Sequence, residues 1–123
     1  MDDSPADFYI ENGIVFGKYK EGIIIDLEVA KEVVETRKVI SEYKNRPIFV
    51  DARGVNKMTK EARNYFGSKE GAEYISAAAI FTDSMLTSFM ANFLIRVNLK
   101  EQYTIVRAFN NREKAIEWLS QYK

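Results

Sequence analysis

Runs of β-branched and aromatic residues alternate along this chain with segments of helical periodicity, and nearly every switch is marked by a turn or cap residue. A strand, a helix and a second strand of the same sheet require a crossover. Right-handed crossovers lay such strands side by side in one direction. Phe8-Tyr9-Ile10-Glu11 and Ile14-Val15-Phe16-Gly17-Lys18-Tyr19 flank Asn12-Gly13, whose tolerance of positive φ suits a type I′ turn, so a hairpin opens the chain. Gly22 precedes Ile23-Ile24-Ile25, a short strand or the lead into a helix capped by Asp26. From Leu27 to Lys44, Ala30, Val33, Ile40 and Tyr43 share a helical stripe, with Glu28, Lys31, Glu35, Lys38 and Glu42 mostly away from it. After Pro47, Ile48-Phe49-Val50-Asp51 reads as a buried strand ending in a charge.

Thr59 is an N-cap for a helix through Phe66 that Gly67 ends, and Gly71 weakens a second short helix over 68–75. Ser76–Thr82 holds three alanines, which favour helix, but its place in the alternation calls for a strand. Asp83 or Ser84 caps a helix to about Leu99. Thr104–Phe109 is a strand, Asn110 with Glu113 resembles a capping box, and the last helix buries Ala115, Trp118, Leu119 and Tyr122. The order β-β-α-β-α-β-α-β-α predicts a mixed, mainly parallel α/β sheet of four or five strands with an N-terminal hairpin.

The 123 residues, 46% hydrophobic and 29% charged, fit one globular domain over 1–123, with 1–6 a flexible N-terminal segment. That segment is acidic and lacks the apolar core of a secretory signal. No run approaches the ~18 apolar residues of a membrane span, so a cytoplasmic protein is expected. The chain has no His and no Cys, which excludes Ser-His-Asp triads, Cys-His dyads, structural zinc sites and thiol redox chemistry. With 18 basic and 18 acidic side chains the formal charge is zero, leaving no global field to draw nucleic acid. Lys57, Lys60, Arg63 and Lys69 make a locally basic stretch that reads as a solvated face. No spaced acidic calcium loop and no Gly-rich phosphate loop occur, so no metal and no cofactor is expected.

Residues 48–63, Ile-Phe-Val-Asp-Ala-Arg-Gly-Val-Asn-Lys-Met-Thr-Lys-Glu-Ala-Arg, resemble the third-strand-to-helix segment of STAS domains, the anti-sigma-factor-antagonist (SpoIIAA-like) fold. Asp51, Gly54, Val55 and Met58 match by position. Ala77–Phe81, Asn92-Phe93 and Phe109 through Ala115, Trp118 and Leu119 resemble small bacterial SpoIIAA-like or STAS/SEC14-like proteins. The resemblance implies an α/β SpoIIAA-like (STAS) domain with about four helices largely on one face. Where phosphorylatable members carry Asp-Ser-Ser-Gly this chain has Thr59-Lys60-Glu61-Ala62, so Lys60 or Glu61 stands at the acceptor serine and the phosphorylation switch does not carry over.

Parallel strands gather polar groups along the rim at their carboxyl ends, where ligands of open α/β sheets bind. The candidate rim residues are Asp51, Arg53, Thr82, Asp83 and Ser84, with Asn110 and Asn111 beside them. Asp83 and Ser84 could present helix amides to an anion with Arg53 as counter-charge. The alternative is that they are caps and that an Asp51–Arg53 contact fixes a turn. Asp51, Asp83 and Glu61 could in principle form a carboxylate acid/base pair or a hard-metal site, but no motif marks them as one. The helix Ser84–Leu99 carries apolar side chains around most of its circumference, Arg96 being its one charge. Burial by neighbouring elements is the first reading of this helix; the second makes Met85, Phe89, Met90, Ile95 and Leu99 an interaction surface, and the third an apolar-ligand groove. The functional expectation is a non-enzymatic regulatory or protein-interaction domain, contacting a protein partner or itself as a homodimer. The alternative is a carrier or sensor of a small apolar, lipid-like ligand.

Overall fold

The computed structural model describes residues 4–83 and 104–123. The chain runs β1 (Ala6–Glu11), β2 (Ile14–Tyr19), β3 (Ile23–Ile25), α1 (Leu27–Ile40), β4 (Arg46–Asp51), β5 (Val55–Met58), α2 (Lys60–Phe66), α3 (Lys69–Ala72), β6 (Ile75–Phe81), β7 (Ile105–Phe109) and α4 (Arg112–Leu119), ending in a 3₁₀ turn over Ser120–Tyr122. Five strands form one sheet in the order β1-β2-β4-β6-β7. β1 and β2 pair antiparallel, and β2–β4, β4–β6 and β6–β7 are parallel. The mixed, mainly parallel sheet is therefore the predicted one.

The hairpin turns where it was expected, with Asn12 at φ 52° and Gly13 at φ 79°. β1 begins earlier than Phe8. Ala6, assigned by sequence to the flexible segment, is buried and pairs with Tyr19, because the strand follows β2 to its end. The predicted element order has no strand over residues 55–58, and here the structure differs. They pair in parallel with β3 as a separate two-stranded sheet, and Ile23–Ile25 is thus a strand. Val55 and Met58 pack beside Ile25 and Ala62, a tertiary contact that no local pattern specifies.

Side chains alternate between two covered faces. On one, Ile14, Phe16, Phe49, Ala77, Ala79 and Phe81 meet Ala115 and Leu119 of α4. On the other, Ile48 and Ala78 pack near Ile40, and Ala6 and Tyr19 meet Ala30, Val33 and Ala62 of α1 and α2. The described helices that pack between successive parallel strands lie on one face, and α4, which follows the last strand, returns on the other. The alanines of β6 are explained by this: Ala77 and Ala79 are fully buried beneath α4, where larger side chains would hold the helix off. Trp118, expected as core with Ala115 and Leu119, is partly buried at the margin, between Phe109 and Tyr122 at ring distances of 5.5 and 5.1 Å.

α1 stops at Ile40, not Lys44. The Tyr43 amide donates to Lys38 O and the Glu42 amide to Val39 O, a Schellman closure with Glu42 (φ 59°) in the left-handed position. Tyr43 consequently leaves the buried stripe and is exposed. Val34, Arg37 and Lys38 are buried instead. Arg37 donates to Glu73 O (2.8 Å) and Gly71 O (3.1 Å), while Lys38 pairs with the Glu73 carboxylate at 3.2 Å. Burial brings the Arg37 guanidinium down to about 10, against the attraction of Tyr19, Glu73 and Tyr65, so it stays charged at neutral pH and caps the end of α3. Asp26 and Thr59 cap α1 and α2 as expected, accepting from Val29 N (2.9 Å) and Ala62 N (3.2 Å). The last cap is Asn111 rather than Asn110: its side chain accepts from Lys114 N at 2.9 Å.

Gly71 gives a test in which two effects have opposite sign. Helix propensity alone predicts that Gly71→Ala stabilises by ~1 kcal/mol. A Cβ at this position would collide with the Tyr65 carbonyl and crowd Phe66 Cα. Backbone cannot swing away as a side chain can, so urea denaturation should show a net loss of ~1–3 kcal/mol. A stabilised Gly71→Ala chain would contradict this packing.

Candidate functional site

β4 and β6 deliver Asp51 and Phe81 side by side at the carboxyl-end rim, since the two residues are register partners. Beyond β4 the chain turns, and the Ala52 amide donates to Phe81 O at 2.9 Å, which anchors the turn to β6. Arg53 then folds back. Its Nε donates to Asp51 Oδ1 at 3.0 Å, its Nη2 to Oδ2 at 2.8 Å, and its amide to Oδ1 at 3.2 Å. This is a bidentate guanidinium–carboxylate fork with a backbone bond added, the strongest form of such a pair. Asp51 is buried and Arg53 is half-exposed. Burial pushes the Asp51 carboxyl up, but the side-chain and backbone hydrogen bonds from Arg53, with the charges of Arg53 and Lys18, outweigh it and hold the carboxyl below its usual range.

The Arg53 guanidinium carbon lies 4.7 Å from the centre of the Phe81 ring. Phe81 ends a row of aromatic rings that crosses the sheet: Tyr9–Phe16 at 5.1 Å, Phe16–Phe49 at 5.4 Å and Phe49–Phe81 at 5.6 Å. A second guanidinium, that of Arg112, sits 4.9 Å from the Phe49 ring centre and 5.4 Å from that of Phe16. Arg107 lies 5.2 Å from Phe109 on the neighbouring strand. The upper part of this face is thus roofed by cations.

Of the five candidate rim residues, the structure brings Asp51 and Arg53 together. Asp83 is exposed and acts electrostatically on Arg53. Thr82 is fully buried, with its amide donating to Phe109 O at 2.9 Å, and belongs to the sheet's interior rather than to its open rim. Ser84 lies outside the described residues, as do Met85, Phe89, Met90, Ile95 and Leu99. Asn110 is exposed, and Asn111 serves as a cap. Thr59 likewise has its hydroxyl engaged in capping α2. The sequence reading missed Arg112 and the aromatic row. No local signal singled out Arg112, since α2 and α3 also open on a cation, Lys60 and Lys69.

The model for the family described as "Domain of unknown function (DUF7793)" matches residues 8–123. The chain belongs to the DUF7793 family. Among solved structures, this DUF7793 domain is similar to an uncharacterised protein of the DUF3478 family with a SpoIIAA-like fold from Shewanella loihica PV-4. The TM-score is 0.62 at 14% identity, over 93% of this chain and 91% of the other. That likeness establishes the SpoIIAA-like fold that residues 48–63 suggested. No curated protein matches the chain. Among the described residues of this domain no helix is long and apolar enough to cross a membrane.

The Asp51–Arg53 pair has a pH signature. A carboxyl held below its unfolded pKa, about 3.9, contributes stability that is present above that value and lost as pH falls through the lower folded value. The stability difference between the native sequence and Arg53→Gln should be constant above about pH 5 and shrink steadily on acidification. Urea denaturation at a series of pH values measures it. A difference that persists undiminished to about pH 2 would show that the pair is not the cause.

Proposed function

We propose that this chain is a non-enzymatic interaction domain that works through contacts with a protein partner or a second copy of itself. The observation that carries this reading is the engagement of Asp51. General acid–base chemistry needs a group that exchanges its proton near the working pH. The acid best placed at the strand-end rim is instead buried, bonded three times by Arg53 and held ionised. The Thr59 hydroxyl, nearest to the acceptor serine position of phosphorylated SpoIIAA-like proteins, is occupied in capping α2. The chemistry these groups leave available is that of contact. Tyr9 and Ile10 are exposed on opposite faces of β1, an edge strand whose outer backbone groups can take a further strand.

Met85, Phe89, Met90, Ile95 and Leu99 supply, by sequence, adaptable apolar anchors for such contacts. Native mass spectrometry of the purified full chain tests the reading. The expected spectrum carries a dimer or a co-purified protein, and the double substitution Ile95→Lys, Leu99→Lys removes that mass while the melting transition persists. A bare monomer at high concentration would overturn the proposal. A retained lipid-sized mass would replace it with the carrier reading, and unfolding of the double variant would place both side chains in the core.

A further inference from the structure

We propose that Arg53 and Arg112, set over the phenylalanine row, form the docking point for a short acidic segment of a protein partner, its carboxylates received by the two guanidiniums. This rests on the interaction reading above and names the surface and the chemistry of its partner.

Three observations support it. Arg112 occupies the first position of α4, against the helix dipole as Lys60 and Lys69 are in α2 and α3, so the position alone singles out nothing. Arg112 is, however, placed over Phe49 and Phe16, and among the described residues no carboxylate or hydrogen-bond acceptor engages its guanidinium. A guanidinium over an aromatic ring is less hydrated than one in open water and keeps N–H donors for a ligand. Second, Arg53 is held by a partner that engages its Nε and Nη2, so Nη1 is the nitrogen left over. Asp51 is therefore a positioning residue: it holds the Arg53 guanidinium 4.7 Å from the centre of the Phe81 ring. Third, the rings beneath the two cations are neighbours, Phe49 and Phe81 being 5.6 Å apart, and the row continues through Phe16 to the exposed Tyr9.

A carboxylate fits the open fork of Arg112 in two parallel hydrogen bonds, while Arg53, whose Nε and Nη2 hold Asp51, offers Nη1. Phe16, Phe49 and Phe81 are themselves buried, and Tyr9, at the end of the row, is the exposed ring that apolar residues flanking acidic ones in a peptide can meet. A long polyanion fits poorly. The chain has no net charge with which to gather phosphates along a strand, and Asp83 and Glu21, which act on Arg53 and oppose any anion there, leave Arg112 as the principal carboxylate contact.

The test is an NMR titration of the full ¹⁵N-labelled chain, read at the arginine Nε–Hε signals and at the Phe49 and Phe81 amides. Hexaglutamate should move the Arg53 and Arg112 signals together, and hexaserine should not. Arg112→Gln should weaken hexaglutamate binding by about tenfold, the loss of one charge-assisted pair. Arg112→Lys, which keeps the charge without the fork, should also weaken it. Lys114→Gln, which removes an equal charge from the same helix turn, should change it by less than about twofold. Melting curves of each variant verify that the fold is retained. Silent arginine signals at millimolar hexaglutamate would overturn the proposal. So would binding of inorganic phosphate or single-stranded oligothymidylate at equal or lower concentration, or equal losses in Lys114→Gln and Arg112→Gln. A chain that ignores hexaglutamate yet carries a dimer or partner in its native mass spectrum overturns this docking point and leaves the interaction domain standing. Failure of both measurements removes both.

Discussion

Phe49 is the point on which the rest of the molecule is built. It lies in β4, the middle strand of five, almost wholly out of water, between Phe16 and Phe81 and beneath Arg112. A central parallel strand has no solvent face, so both sides of β4 need cover. On the side of Ile48, α1 and α2 supply it, and on the side of Phe49, α4 does. The small residues of β6 and the aromatic residues of β2 and β4 complement each other across that second face. Alanine gives α4 its seat, and the phenylalanines fill the region that its eight residues leave uncovered.

Two buried cations perform the corresponding task on the opposite face. Arg37 and Lys38 extend from the last turn of α1 to the segment Gly71–Glu73, where they meet two backbone carbonyls and one carboxylate. Burying a guanidinium is costly unless its donors are satisfied, and among the described residues no buried side-chain polar atom lacks a partner. The pair therefore fixes where α3 can sit relative to α1. It also places Tyr74, at φ 69°, edge-on to Tyr43 with ring centres 5.8 Å apart.

The rim has a comparable logic. Asp51 ends β4 and would be an isolated buried acid without Arg53. With the guanidinium folded back on it, it becomes an ionised anchor that holds a cation over Phe81. The acid is in this way held ionised and the cation is presented at the surface. This division of labour is what joins the interaction reading to the proposed acidic partner.

The sequence by itself determined the parts of this structure that depend on near neighbours. The Asn12-Gly13 turn, the caps at Asp26 and Thr59, the stop at Gly67 and the alternation that implies a mainly parallel sheet all rest on contacts within a few residues. The Asp51–Arg53 contact was legible for the same reason, the two being two positions apart. Tertiary structure decided what depends on residues distant in the chain. The pairing of Val55–Met58 with Ile23–Ile25, the burial of Lys38 against Glu73 and the placing of Arg112 over Phe16 and Phe49 each join segments dozens of residues apart. Local propensity carries no term for such pairs. Their free energy comes from desolvation and ring–cation geometry that exist once the sheet has brought the segments together.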